Sequence, residues 1–392
     1  MQMYQRSFFL LLIIYIGFIS LGLPDGSFGL VWPLISKELS LPIGLAGTIV
    51  ILGTILSGCS GFLSGKAINR MGTGAIVLVS CILTGSGLLA MGHIHGALAL
   101  YAITIPLGIG AGAVDAGLNS FVAQHYSGRH MNWLHACWGI GATTGPLLMG
   151  YSLNHDSGWR GGYTLLASIQ LSLSLLFLLS LNLWSSVPAK QEHSHVEDTT
   201  GNILLKTANS LPGYLSMLAF VLYVGVETMT GLWIGTILMS GRGFSPETAS
   251  LCTASYYGAI TGGRFIIGFV VDRIGNRRLI RYGLGIALIG ALLFTCSGGP
   301  APALLSLTLI GGGFAPIYPC LMHEVPQRFT TKDVAIVIGR QTGASYLGAA
   351  AIPALAGWVA QTALPGLPLL TLGGVITLLV CIWFLDRVTP VS

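Results

Sequence analysis

Three features of the chain predict an all-α polytopic membrane protein with twelve transmembrane helices in two pseudo-symmetric six-helix bundles. They are its scarcity of charge, its succession of long apolar runs and a repeat that relates its two halves. Only 8% of the 392 residues are charged and 53% are hydrophobic, with a mean hydropathy of +0.78. A soluble domain carries about 25% charged residues, so water is not the main solvent of this chain. The 55 glycines agree, because small residues let membrane helices approach closely where no hydrophobic force drives them together.

Taken in order, the apolar runs long enough for a hydrocarbon core of ~30 Å lie at about 8–34, 42–67, 73–92, 96–124, 132–154, 161–185, 211–239, 246–272, 278–297, 301–328, 333–360 and 364–386. The first is too long for a signal peptide and contains Asp25, so it is expected to remain as a span. An even number of spans puts both termini on one side. Grouped by alternate loops, that side takes Arg6, Lys66, Arg70, Arg129, Lys190, Lys206, Arg273, Arg277, Arg278, Arg281, Arg328, Lys332 and Arg387, and the other takes only Lys37, Arg160 and Arg242. This bias predicts cytoplasmic termini in a multi-pass protein of the cell (inner) membrane. The net charge of +5 is thus an orientation signal, and no nucleic-acid partner is expected, since no basic stretch is interleaved with exposed aromatics. All seven cysteines fall within predicted spans without a CxxC pair or a Cys/His cluster, which supports neither a disulfide framework nor a metal site.

Residues 108–150 join the fourth and fifth spans through a short turn containing Arg129. Asp115 and Asn119 share one face of the first of these helices, and His135 and Trp138 share one face of the second. An ionisable group at membrane depth costs about 3 kcal/mol or more and normally faces a partner or a water-filled path. The hairpin therefore predicts one wall of a pathway, with a packing contact for Asp115 as the alternative. The chain turns polar at 186–210, read as a cytoplasmic linker between an N-terminal bundle (1–185) and a C-terminal bundle (211–392); His193 and His195 are taken as solvated linker residues.

The halves repeat one plan. Gly141, Ala142, Pro146 and Gly150 in the fifth span recur 207 residues later as Gly348, Ala349, Pro353 and Gly357. The loop with Asn69, Arg70 and Gly72 recurs 203 residues later with Asp272, Arg273 and Gly275. Asp25, Gly29 and Trp32 of the first span are matched by Glu227, Gly231 and Trp233 of the seventh. Duplicated halves place a binding site at their shared interface and allow one half to rock against the other.

Residues 268–278, GFVVDRIGNRR, resemble the G-x-x-x-D-R-x-G-x-[RK]-[RK] loop of the major facilitator superfamily, and residues 65–72 resemble a weaker copy with Asn69 in place of the usual Asp. YVGVETMTGLW at 223–233, DAGLN at 115–119 and NWLHACWGIGA at 132–142 are similar to stretches of the fucose permease and glucose symporter group. The resemblance implies secondary transport by the major facilitator fold and a monomer. It assigns the proton-coupling role to Asp25 and Asp115, because sugar symporters of that group use acids on the first and fourth helices. It also places Asn69, Arg70, Arg264, Asp272, Arg273, Arg277 and Arg278 in a gating or structural loop system, with Arg264 and Arg340 holding cytoplasmic helix ends together. The latch should be weaker in the first half, where Asn69 replaces an acid.

Asp25, Asp115 and Glu227 are the acids within spans, and a carboxylate whose water access alternates can load and release a proton. Glu227 is expected at the substrate or in gating. Asn119, His135, Trp138, Tyr223, Trp233, Tyr257, Tyr318 and Gln341 would complete a polar, aromatic-lined substrate site, although each aromatic alone also suits a core or interface position. Pro106, Pro146, Pro316, Pro319 and Pro353 mark places where a helix can bend.

The expected function is proton-coupled symport of a small polar solute, a sugar before others, with sodium as the alternative coupling ion and the lipid bilayer as the surroundings. A proton-driven exporter of amphipathic drugs or lipids is the alternative within the same fold, and a membrane sensor or scaffold that retains the fold without transporting is the alternative from a different class. No P-loop, HExxH or GxSxG is present, so neither ATP-driven pumping nor an enzyme is expected, and no cofactor is called for.

Overall fold

The computed structural model describes residues 2–126, 128–155, 157–184, 207–296 and 298–389. Most of the expected linker, with His193 and His195, lies outside the described residues. The first six helices are α1 (Gln2–Glu38), α2 (Leu45–Met71), α3 (Thr73–Met91), α4 (Ala97–His125), α5 (Gly128–Leu153) and α6 (Gly158–Trp184). The second group comprises α7 (Leu211–Gly235), with a π-helical extension at Thr236–Gly241, then α8 (Pro246–Ile274), α9 (Asn276–Cys296), α10 (Pro300–Phe314), α11 (Ile317–His323), α12 (Val325–Arg328), α13 (Thr331–Thr362) and α14 (Leu367–Val388). With α10 and α11 taken as one crossing, the helices occupy the twelve predicted places.

Two expectations need correction. The run 301–328 is not one helix: it breaks after Phe314, where Pro316 lacks the N–H that would continue the ladder and its ring excludes the preceding turn. Helix α1 also overruns its predicted 8–34 at both ends, because helical geometry continues past the hydrocarbon core. Among the described residues, ten crossings are long and apolar enough to span a membrane by composition alone. The two that fall short, α5 and α8, pack against each other; protein rather than lipid covers much of their surface.

Packing follows the repeat. Helix α1 pairs with α5, α2 with α4 and α3 with α6, while α7 pairs with α13, α8 with α10 and α9 with α14. Close approach depends on small residues. A Cβ on Gly141 of α5 would strike the Ile19 carbonyl of α1, and one on Gly348 of α13 would strike the Val221 carbonyl of α7. Gly22 and Gly26 of α1 meet α5 in the same way. The repeated loops also match: Gly72 and Gly275 end α2 and α8 at φ +81° and +86°, and each amide N–H closes a 2.8 Å bond to the carbonyl four residues back. Only glycine adopts that backbone without strain.

The halves touch on the side away from the termini. Gly29 meets Leu232, Gly44 meets Gly357, Gly47 meets Ala354 and Gly150 meets Ser250, whose hydroxyl donates to the Pro146 carbonyl at 2.7 Å. Deeper along the α5–α8 pair, Gly139 still meets Thr261. Beyond that the helices part. Gly58 of α2 and Gly343 of α13 would be neighbours if the register of Gly47 and Ala354 continued, yet a Cβ on either meets nothing within 4 Å. Gly268 of α8 is likewise open. The result is a cleft between the halves that opens toward the side where α1 begins and α14 ends.

Candidate functional site

Asp25 and His135 are exposed although they lie well inside α1 and α5, and Asp115, Asn119 and Trp138 are half-buried. Their exposure is to the cleft. The glycine seam between α1 and α5 brings Trp138 to Asp25, whose Oδ2 accepts the indole N–H at 2.8 Å. On α4 the Asn119 amide donates to Asp115 Oδ1 and to the Asp115 carbonyl, each at 3.0 Å, while Asn119 Oδ1 is buried without a partner. His135 stands edge-on to Phe18 at 5.8 Å. No salt bridge engages Asp25 or Asp115 among the described residues.

The facing wall comes from the second half. Tyr257 of α8 presents its ring edge-on to Trp138 at 6.4 Å. Glu227 of α7 is buried, with Oε1 3.4 Å from Arg264 Nη2 and its carbonyl accepting from the Tyr256 hydroxyl at 2.9 Å. Tyr223 is fully buried; its hydroxyl donates to the Phe314 carbonyl at 3.2 Å and accepts from Arg264 at 3.4 Å. Tyr318 of α11 packs on Phe220 and Tyr223. Arg264 lies within electrostatic reach of both Tyr318 and His135, so the cleft joins charged and polar groups of both halves.

Several expectations change. Arg264 does not hold helix ends together: it follows Tyr257 by two turns on the same face of α8, and its guanidinium sits at the cleft on Glu227 and Tyr223. Gln341 is not at the site, because it is 1% exposed and its amide donates to Ser216 at 2.5 Å. Trp233 is also core, 1% exposed, with its N–H on the Pro353 carbonyl at 3.1 Å. Arg340, by contrast, does join helix ends as expected: it donates to the Ala208 carbonyl and Asn209 side chain, just before α7, each at 2.8 Å. Of the loop residues, Asn69, Arg70, Asp272, Arg273 and Arg278 are exposed and form no ion pair among the described residues, whereas Arg277 bonds Glu324 and the Thr389 carbonyl, both at 2.7 Å. Tyr346 of α13 was not anticipated. It is 40% exposed at mid-helix, within electrostatic reach of Asp115 and Tyr318.

The Major Facilitator Superfamily profile matches residues 14–322 and, again, 215–392. The chain belongs to this superfamily of membrane transporters. It is 26% identical over 262 residues to the glucose/mannose transporter GlcP of Bacillus subtilis, covering 64% of this chain and 63% of that one. It is 24% identical over 346 residues to the cis,cis-muconate transport protein of Acinetobacter baylyi, covering 84% and 81%. Bypass of stop codon protein 6 of Saccharomyces cerevisiae is 25% identical over 298 residues, with 66% of this chain but only 58% of the yeast protein covered. In fold, the chain is similar to a nucleoside transporter, with a TM-score of 0.75 at 12% identity over 95% of this chain and 98% of that one. The D-xylose-proton symporter has a TM-score of 0.72 at 16% identity over 96% and 97%.

Proposed function

We propose that the protein is a secondary transporter moving a small hydroxylated solute of the sugar class by proton-coupled symport. Asp25 and Asp115 are the coupling groups, and residues 1–185 and 211–392 are the bodies that rock to alternate access. The observation that carries this reading is the pair of carboxylates, neither balanced by a cation among the described residues, facing one cleft that opens to a single side. A carboxylate in such a place can hold a proton while the solute is bound and lose it when water access changes. The glucose/mannose and muconate relatives support a small polar solute, and the proton symporter of like fold supports the coupling. The charge bias of the loops supports cytoplasmic termini, which makes the cleft open inward. An amphipathic exporter would suit a mostly apolar cavity; the convergence of Asp25, Asp115, His135, Glu227 and Arg264 favours the polar solute.

The test is uptake into proteoliposomes of labelled hexoses, deoxyhexoses and their acid forms, with and without an inward proton gradient. Gradient-stimulated uptake of one of them is expected in wild type. In Asp115→Asn the stimulation disappears while gradient-free counterflow survives. If no solute in the panel is moved by folded protein under any condition, the sugar-class reading falls.

A further inference from the structure

We infer that the transported solute carries a carboxylate, held by Arg264; this rests on the transport reading above. A guanidinium has five N–H donors, and taking it out of water is costly unless they are used. Here only Nη2 is engaged, at 3.4 Å from both Glu227 and Tyr223, longer than the ~2.8 Å of a good charge-assisted bond. Nε is buried without a partner, and Nη1 has none among the described residues. The side chain is 22% exposed, at a cleft that also holds Tyr318 and His135. An under-satisfied planar cation at a cleft is matched by a planar anion that can take two parallel bonds.

The charges facing that cleft make the same point. With Asp25 and Asp115 protonated, Arg264 and Glu227 leave the site neutral, and an anion can enter. With both ionised, two negative charges oppose it. Proton loading would thus admit an anionic solute by electrostatics alone, whereas a neutral sugar would feel no such gate. The hydroxyl-bearing part of the solute would lie toward Trp138 and Tyr257.

The experiment is counterflow in proteoliposomes with labelled gluconate, glucuronate and glucose as probes, comparing wild type, Arg264→Gln, Arg264→Lys and Glu227→Gln, with thermal unfolding of each variant measured in parallel. One of the acids should exchange at least about tenfold better than glucose, as expected where a buried donor set would be left unpaired by the wrong solute. Arg264→Gln should raise the KM for the acid by about tenfold or more, Arg264→Lys by less. Glu227→Gln, which removes the competing anion, should lower it; a merely structural pair would not give that gain. Glucose exchanging as well as the acids, or an acid KM indifferent to Arg264→Gln and Glu227→Gln, overturns the inference and leaves solute transport standing. Failure of all three probes with folded wild type overturns it, and the sugar-class reading falls with it when the wider panel of hexoses, deoxyhexoses and acids fails as well.

Discussion

Trp138 holds Asp25 through a single indole N–H, and that bond is separable from the ring that carries it. Trp138→Phe keeps an aromatic ring near Tyr257 and removes the donor, so it should cost about 1.5–3 kcal/mol of interaction with the carboxylate. Gradient-driven uptake should fall by about tenfold or more, with stability lowered by no more than the lost bond; uptake rates and thermal unfolding check this. His135 and Gln341 give the opposite contrast. Both are polar residues in apolar helices, yet one faces the cleft and the other packs on Ser216. Gln341→Ala should lose about 1–3 kcal/mol of stability, since it strands a buried hydroxyl, with the solute KM unchanged. His135→Ala should change KM and leave stability alone. Sequence conveys depth along a helix well and azimuth poorly, which is why Gln341 and Trp233 looked like ligands. The azimuth of Arg264 was nevertheless legible: seven residues after Tyr257 is two turns on one face. Trp233, six residues after Glu227, is rotated about 120° from it.

At the scale of helices, the repeat has a mechanical meaning. Gly141 in α5 and Gly348 in α13 each admit a backbone carbonyl of the partner helix, so Gly141→Leu and Gly348→Leu should be similarly destabilising, by at least about 1–3 kcal/mol, measurable as loss of folded protein on heating in detergent. The spacing of these motifs made the repeat visible in the sequence, because glycine at a close contact cannot be replaced without moving backbone. The charges at helix ends were less legible. Arg328 is 4% exposed and bonds Glu324 at 3.2 Å and Asp386 at 2.9 Å, tying α12 to the end of α14, and Arg277 joins them from α9. Arg328→Leu takes one partner from each acid while Glu324 keeps Arg277 at 2.7 Å and Asp386 keeps Arg281 at 3.3 Å, so it should destabilise by about 1–3 kcal/mol. Two of the three basic residues on the opposite side have comparable work. Arg160 donates to Glu38 at 2.9 Å and to the carbonyls of Gly92 and Ile94 at 3.0 Å, and Arg242 donates to the Phe294 carbonyl. Counting charge by loop predicts orientation but not these contacts, which join elements distant in sequence.

For the whole molecule, if the halves rock as proposed, the seams of this state say what the alternate state requires. The side away from the termini is closed by Gly29, Gly44, Gly47 and Gly150 against α7, α13 and α8, close approaches that need glycine in this state. On the open side, a Cβ on Gly58 or Gly343 would meet no described atom within 4 Å, although the register that joins α2 to α13 would bring them together if the cleft shut. If the cleft shuts as proposed, glycine at these two positions leaves room for the contact that joins α2 to α13 on the closed side. Gly343→Leu should therefore leave the present state folded, since its Cβ meets no atom within 4 Å, with thermal stability within about 1 kcal/mol of wild type, the worth of replacing a mid-helix glycine. It should at the same time abolish net transport and counterflow, because the helices cannot close over the solute. Binding of the solute to detergent-solubilised protein should survive, since the cleft remains open. A variant that transports normally would mean that α2 and α13 do not converge there, and that closure takes place along α5 and α8 alone, where Gly268 marks the corresponding gap.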